Sequence, residues 1–163
     1  MPALPLPMFT TRTLIALFAA AALAACSMGL PGGGAPAGLA PALSARMDQP
    51  GATLDRAQAI ALVNAYRATN GLPALIPDAA LDGTAQALAN QYAQTGAAPR
   101  MPEGLTVMKL SAGYPTFAET FSGWRNSPAD AVALRATAAR AGIAVAFNAT
   151  SSYGIHWVLV LDD

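Results

Sequence analysis

Apolar positions recur along the second two-thirds of the chain with a spacing that changes from segment to segment, and the spacing names the elements. Ala59, Leu62, Val63 and Tyr66 fall at i, i+3, i+4 and i+7, one face of a helix. Asn70-Gly71-Leu72-Pro73 closes it, because glycine takes the left-handed cap and proline cannot continue a helix. A second helix opens at Asp78, whose carboxylate suits an N-cap, and carries Leu81, Ala85, Leu88 and Tyr92 as one stripe up to Gly96. From Gly96 to Phe117 no period is sustained, and the stretch reads as loops with short elements. Ser127-Pro128-Ala129-Asp130 offers a capping serine, a proline at the first helical position and an acid three residues after the cap. It predicts a helix running to about Arg140, with Gly142 beyond its end. Ile143, Val145 and Phe147 then alternate with alanines, as a strand over a core does. The run Ile155 to Leu161 is apolar on nearly every position, which suits a central strand covered on both faces. Helices before and between strands predict a layered α/β domain.

The N-terminus follows different rules. Arg12 is the sole charge before the apolar run Leu14 to Leu23, which is too short to span a bilayer as a helix of roughly 20 residues. It has the length of a secretory signal core. It ends in Leu23-Ala24-Ala25-Cys26, which contains the only cysteine of the chain. This run resembles the lipobox of bacterial lipoproteins, in which the thiol carries a diacylglyceryl group and the peptide is cut before the cysteine. The resemblance implies a signal peptide over residues 1–25, lipidation of Cys26, and attachment to the membrane of a bacterial cell envelope. Ser27, in place of an aspartate, implies the outer membrane, with the domain facing the periplasm. The Pro-rich Met1 to Pro7 adds nothing to such a signal, so Met8 is an alternative start.

Downstream, Pro31-Gly32-Gly33-Gly34-Ala35-Pro36-Ala37-Gly38 centres a stretch of Gly, Pro and Ala that cannot bury enough surface to offset its ordering entropy. Residues 26–52 are therefore expected to form a flexible tether, and residues 53–163 one domain. The chain has 9 basic and 9 acidic side chains, so charge offers no attraction for nucleic acid or anionic lipid, and nucleic-acid binding is set aside. With no second cysteine the fold relies on its core, and a hydrophobic fraction of 54% is ample for that.

The stretch Ala61-Leu62-Val63-Asn64-Ala65-Tyr66-Arg67-Ala68-Thr69-Asn70-Gly71-Leu72-Pro73-Ala74-Leu75 resembles the opening helix and turn of the CAP superfamily, which groups cysteine-rich secretory proteins, antigen 5 and plant pathogenesis-related proteins. Further segments agree in order: the alanine-rich second helix with Tyr92, Ala112-Gly113-Tyr114 ahead of Glu119, Gly123-Trp124-Arg125-Asn126-Ser127-Pro128, and the closing His156-Trp157-Val158-Leu159-Val160. The resemblance implies a three-layer α-β-α sandwich with a small, mostly antiparallel central sheet and a surface cleft. In that family the cleft commonly holds two histidines and one or two glutamates able to bind a divalent metal.

Only part of that set is here. Glu119 stands where the family's Gly-Glu-Asn glutamate stands, flanked by Ala118 and Thr120 instead. Asp130 occupies one histidine position, and Arg100 is the nearest match to the other. Two carboxylates without imidazole or thiolate make a poor zinc site, so no metal and no cofactor are expected. The candidate cleft residues are Glu119, Asp130, Arg100, Trp124 and Asn126, with Arg100 placed to neutralise the two acids. His156 lies in an apolar strand without a motif-matched serine or cysteine, so a hydrogen-bonded core role is expected of it. Asn148-Ala149-Thr150 reads as the turn between two strands. No catalytic residue is assigned. Function is expected to be binding of a small apolar ligand or a protein partner, the alternative being a hydrolase that uses Glu119 and Asp130 with a weakly held cation or water.

Overall fold

The computed structural model describes residues 39–163. Cys26, the expected signal peptide and the first half of the expected tether lie outside the described residues. The elements in chain order are a short 3-10 helix at Pro41–Ser44, α1 at Arg56–Thr69, β1 at Ile76–Pro77, α2 at Ala79–Thr95, β2 at Val107–Ala112, α3 at Phe117–Asn126, α4 at Pro128–Leu134, β3 at Arg140–Phe147 and β4 at Ile155–Asp162. They form a four-stranded sheet in the order β1-β3-β4-β2. β3 and β2 pair antiparallel with β4 along six or more residues each, whereas β1 adds a two-residue parallel contact to β3.

The nearly unbroken apolar run of β4 is explained by its central place. Ile155, Trp157, Leu159 and Leu161 point to one face, where Ile60 and Val63 of α1, Phe117, Phe121 and Trp124 of α3, and Leu134 of α4 cover them. Val158 and Val160 point to the other, against Leu81, Ala85, Leu88, Ala89 and Ala93 of α2. Each of these large side chains contributes about 1.5–3 kcal/mol when fully removed from water, and both faces are needed to hide a strand of this composition. The result is the expected three-layer sandwich, with α1, α3 and α4 on one side of the sheet and α2 on the other.

The α2 layer lies so close that Gly142 of β3 has no room for a side chain: an added Cβ would fall within 3.0 Å of the backbone of Leu81 and Asp82. Helix starts and stops follow local chemistry. Asp55 caps α1 by accepting from the Gln58 N–H (2.9 Å), and Gly71 beyond it has φ +70. Asp78 caps α2 by accepting from Ala80 (2.8 Å) and Leu81 (3.0 Å), and Gly96 ends it in the left-handed conformation.

The structure departs from the sequence reading in four places. The stretch Gly96 to Phe117 contains a full six-residue strand, β2, whose mixed composition reflects its place at the sheet edge. Helix α3 was not anticipated at all. The helix opened by Pro128 ends at Leu134, and Gly142 sits within β3 beneath α2. Finally, the packed chain begins before Thr53: Leu43 and Met47 are buried in the core beside α3 and α1, and the Met47 N–H donates to the Pro115 carbonyl (2.8 Å). Two large apolar side chains suffice to dock this part of the expected tether.

Candidate functional site

Glu119 is placed by the first turn of α3. The Thr116 hydroxyl accepts from the Glu119 backbone N–H (3.2 Å), while the Glu119 carboxylate accepts from the Thr116 N–H (3.3 Å) and the Thr116 hydroxyl (3.0 Å). This is a complete capping box, which uses the carboxylate to satisfy the free donors of the helix start. The same spacing at Ser127 and Asp130 does not close: Ser127 caps α4 without a side-chain hydrogen bond. Asp130 turns instead to Lys109 of β2, with which it forms a half-buried ion pair.

The remaining candidates do not converge on these two acids. Arg100 is exposed on the loop after α2 and forms no ion pair with either, so Asp130 is neutralised from β2 and not from that loop. Trp124 is 2% exposed, donates its indole N–H to the Leu110 carbonyl (3.0 Å) and meets Phe117 edge-on at 6.2 Å between ring centres. It packs α3 onto β2 instead of lining an open cleft. Asn126 is exposed and donates to the Ser122 hydroxyl (3.3 Å).

His156 is fully buried on the α2 face, edge-on to Tyr92 at 4.6 Å. Its Nε2 lies 3.2 Å from the Ser151 hydroxyl, and its Nδ1 has no hydrogen-bond partner. Burial pushes its pKa below the ordinary 6.5, so it is neutral at pH 7. A serine–histidine contact alone does not make a nucleophile. The imidazolium formed on taking the serine proton needs an acceptor at Nδ1, and none is there. The pairing depends on the tight turn from Asn148 to Gly154, where the Asn148 carboxamide oxygen accepts from the Thr150 N–H (3.0 Å). Spacing five residues apart in sequence carried no signal of it.

A second buried polar group escaped the sequence reading. Arg67, on the inner face of α1, is wholly buried. It donates to the carbonyls of Pro73 (3.1 Å), Leu134 (3.0 Å) and Ala136 (2.9 Å), with one guanidinium nitrogen left unpartnered. Burial lowers its pKa without removing its charge at neutral pH. Its signal was present: Arg67 follows Ile60 and Val63 at i+7 and i+4 on the apolar stripe.

The donor chemistry of this region does not suit a transition metal. Each carboxylate is already held, Glu119 by a helix start and Asp130 by an ammonium, and no group of three His, Cys, Asp or Glu side chains converges among the described residues. Elsewhere, an open groove of about 480 Å³ lies between Met47–Ala52 and the far end of β3, bordered by Gln86 and Asn90 of α2. Among the described residues no helix is long and apolar enough to cross a membrane.

Comparison with known proteins bears on the whole domain. The model of the cysteine-rich secretory protein family, CAP, matches residues 60–161. No curated protein matches. Among solved structures, an extracellular protein containing an SCP domain from Bacillus anthracis superposes with a TM-score of 0.53 at 14% identity, over 66% of this chain and 40% of that one. An outer surface protein from Borrelia burgdorferi is 19% identical over 63% of this chain and 88% of its own, with a TM-score of 0.45. This chain thus spans 40% of the length of the Bacillus anthracis protein. With the family model covering more than half of the sequence, and with the sandwich in the expected element order, the chain belongs to the cysteine-rich secretory protein (CAP) family.

Proposed function

We propose that this protein is a non-catalytic binding module of the bacterial cell envelope, anchored by lipid on Cys26 and facing the periplasm from the outer membrane. The observation that carries the non-catalytic part is the commitment of both candidate carboxylates. Glu119 closes the α3 capping box through one carboxylate oxygen and Asp130 pairs with Lys109, so the two acids are engaged by separate partners and not by each other, as an acid–base pair or a shared cation would require. That weighs against the hydrolase alternative. The export part rests on the Leu23-Ala24-Ala25-Cys26 run and agrees with the extracellular setting of the Bacillus anthracis protein. For the partner, the open groove is lined by the amides Gln49, Gln86, Asn90 and Asn148, a lining that suits a protein better than a small apolar ligand.

The anchor is tested by Cys26→Ser in the native envelope, followed by acyl labelling and fractionation. The variant loses the label and accumulates as uncleaved precursor. Normal processing and membrane retention of the variant would refute the anchoring.

A further inference from the structure

We infer that the groove beside Phe147 receives a short, extended, uncharged peptide segment, which pairs with the exposed backbone at the end of β3. The inference rests on the reading of the domain as a binding module and specifies its partner.

The argument begins with the parity of β3. The Asn148 N–H donates to the Gly154 carbonyl (2.7 Å) across the register that pairs Ala146 with His156 and Gly142 with Val160. In an antiparallel pair the hydrogen-bonded residues alternate, so even-numbered residues of β3 face β4 and odd-numbered ones face the open side of the sheet. At each outward-facing residue from Ala139 to Val145 a neighbouring element takes up at least one backbone group. The Ala139 and Ala141 carbonyls accept from Ile76 (2.8 Å) and Asp78 (2.9 Å) at β1. Where β1 stops, α2 takes over: Asp82 accepts from the Ile143 N–H (2.9 Å), and Gln86 donates to the Val145 carbonyl (3.1 Å).

One turn later the series ends. Asn90 accepts from Gln86 (3.1 Å) and does not reach the strand. By the same parity the N–H and C=O of Phe147 point away from β4, no neighbouring element takes up either of them among the described residues, and Phe147 lines the groove. A single residue of an extended peptide offers the complementary C=O and N–H at the matching spacing, which is the chemistry of strand addition to a sheet edge.

The groove walls agree with that occupant. Its volume of about 480 Å³ is of ligand size, and none of its lining side chains is charged. A charged segment would lose hydration there without a counter-charge, whereas amides such as Gln49 and Asn90 present both donors and acceptors to a peptide backbone. Hydroxyl-rich glycans can bond to amides, but they lack the paired N–H and C=O that the Phe147 edge matches.

The test uses the full-length protein, isotope-labelled and held in detergent micelles. It is titrated with a blocked pentapeptide of alternating threonine and valine, acetylated and amidated at its ends. Saturable shifts centred on the Phe147 amide are expected. N-methylation of the residue facing Phe147 should weaken binding at least about tenfold, and N-methylation of its neighbour should not, because only alternate amides face the edge. Gln49→Ala and Asn90→Ala, both with unchanged melting temperatures, should each weaken binding roughly five- to tenfold. Three results would overturn the inference: no shift at Phe147 with millimolar peptide, equal loss from both N-methyl peptides, or shifts with a linear glucan oligosaccharide but not with peptide. Any of them would leave the Cys26 processing result standing, so failure of the groove and failure of the anchor are separately visible.

Discussion

Replacing Gly142 by alanine tests the seating of α2 on the sheet more sharply than any truncation. The added methyl would lie within 3.0 Å of the Leu81 carbonyl carbon and oxygen and of the Asp82 nitrogen, where ordinary contact begins at 3.4 Å. All three atoms are backbone and cannot rotate aside, so the first turn of α2 must lift. Overpacking of this kind costs about 1–3 kcal/mol by itself. Lifting also breaks the Asp82 bond to the Ile143 N–H, a charge-assisted bond whose loss leaves a half-buried donor unsatisfied at about 1–3 kcal/mol. The expected total is roughly 2–6 kcal/mol, a large part of the stability of a domain this size, which is of order 5–15 kcal/mol. The control is Gly83→Ala on the same helix. Nothing lies within 4 Å of its new methyl, and alanine is the better helix former by about 0.5–1 kcal/mol. Urea unfolding of the two variants should move the midpoint in opposite directions at constant slope. A Gly142→Ala variant within about 0.5 kcal/mol of the parent would refute the close approach of α2 to β3.

The other predictions concern the buried polar groups. Arg67→Met should destabilise by about 3 kcal/mol in the same assay, since three carbonyls, that of Leu134 fully buried, lose a charged donor while the cost of burying the charge is relieved; a loss below about 1 kcal/mol would show that these carbonyls find other partners. His156 makes stability depend on pH. Its folded pKa lies below 6.5, so near that pH the unfolded chain binds more protons, and stability present above pH 6.5 falls as pH drops through 6.5 towards the folded pKa. The slope in this window has the sign of one extra proton on the unfolded chain, is bounded by about 1.4 kcal/mol per pH unit, and should vanish from it in His156→Gln, measured by urea midpoints across the pH series. A parent and variant with the same slope would remove His156 as the cause.

What could be read from the sequence divides along physical lines. β4 was legible because burial on both faces makes nearly every position apolar, and α1 and α2 because each buries a single stripe bounded by a capping aspartate and a glycine. α3 was missed because two capping patterns, Thr116 with Glu119 and Ser127 with Asp130, stand eleven residues apart, and composition alone does not tell which carboxylate closes on its cap. Proline at position 128 drew attention to the second, while the structure closes the first. β2 hid behind Lys109 and Ser111, which an edge strand tolerates. The fate of Asp130 could not be read until β2 was in place, since Lys109 lies twenty-one residues away from it in sequence. The early docking of Leu43 and Met47 was masked by the surrounding Gly, Pro and Ala, because a window average dilutes two well-placed side chains.

That early docking also decides how the domain meets mechanical load. A pull exerted through the chain before Leu39 reaches the fold first at Leu43 and Met47, whose side chains sit in the core and which, among the described residues, are tied by backbone to the next layer through the bond from Met47 to Pro115 alone. Such a segment comes away by peeling, one contact at a time, while the β3-β4-β2 ladder behind it bears no tension until the peeling is complete. Under load applied through residue 39, the stretch from Leu43 to Ala52 is therefore expected to serve as a mechanical fuse, yielding before the sandwich does and leaving it intact.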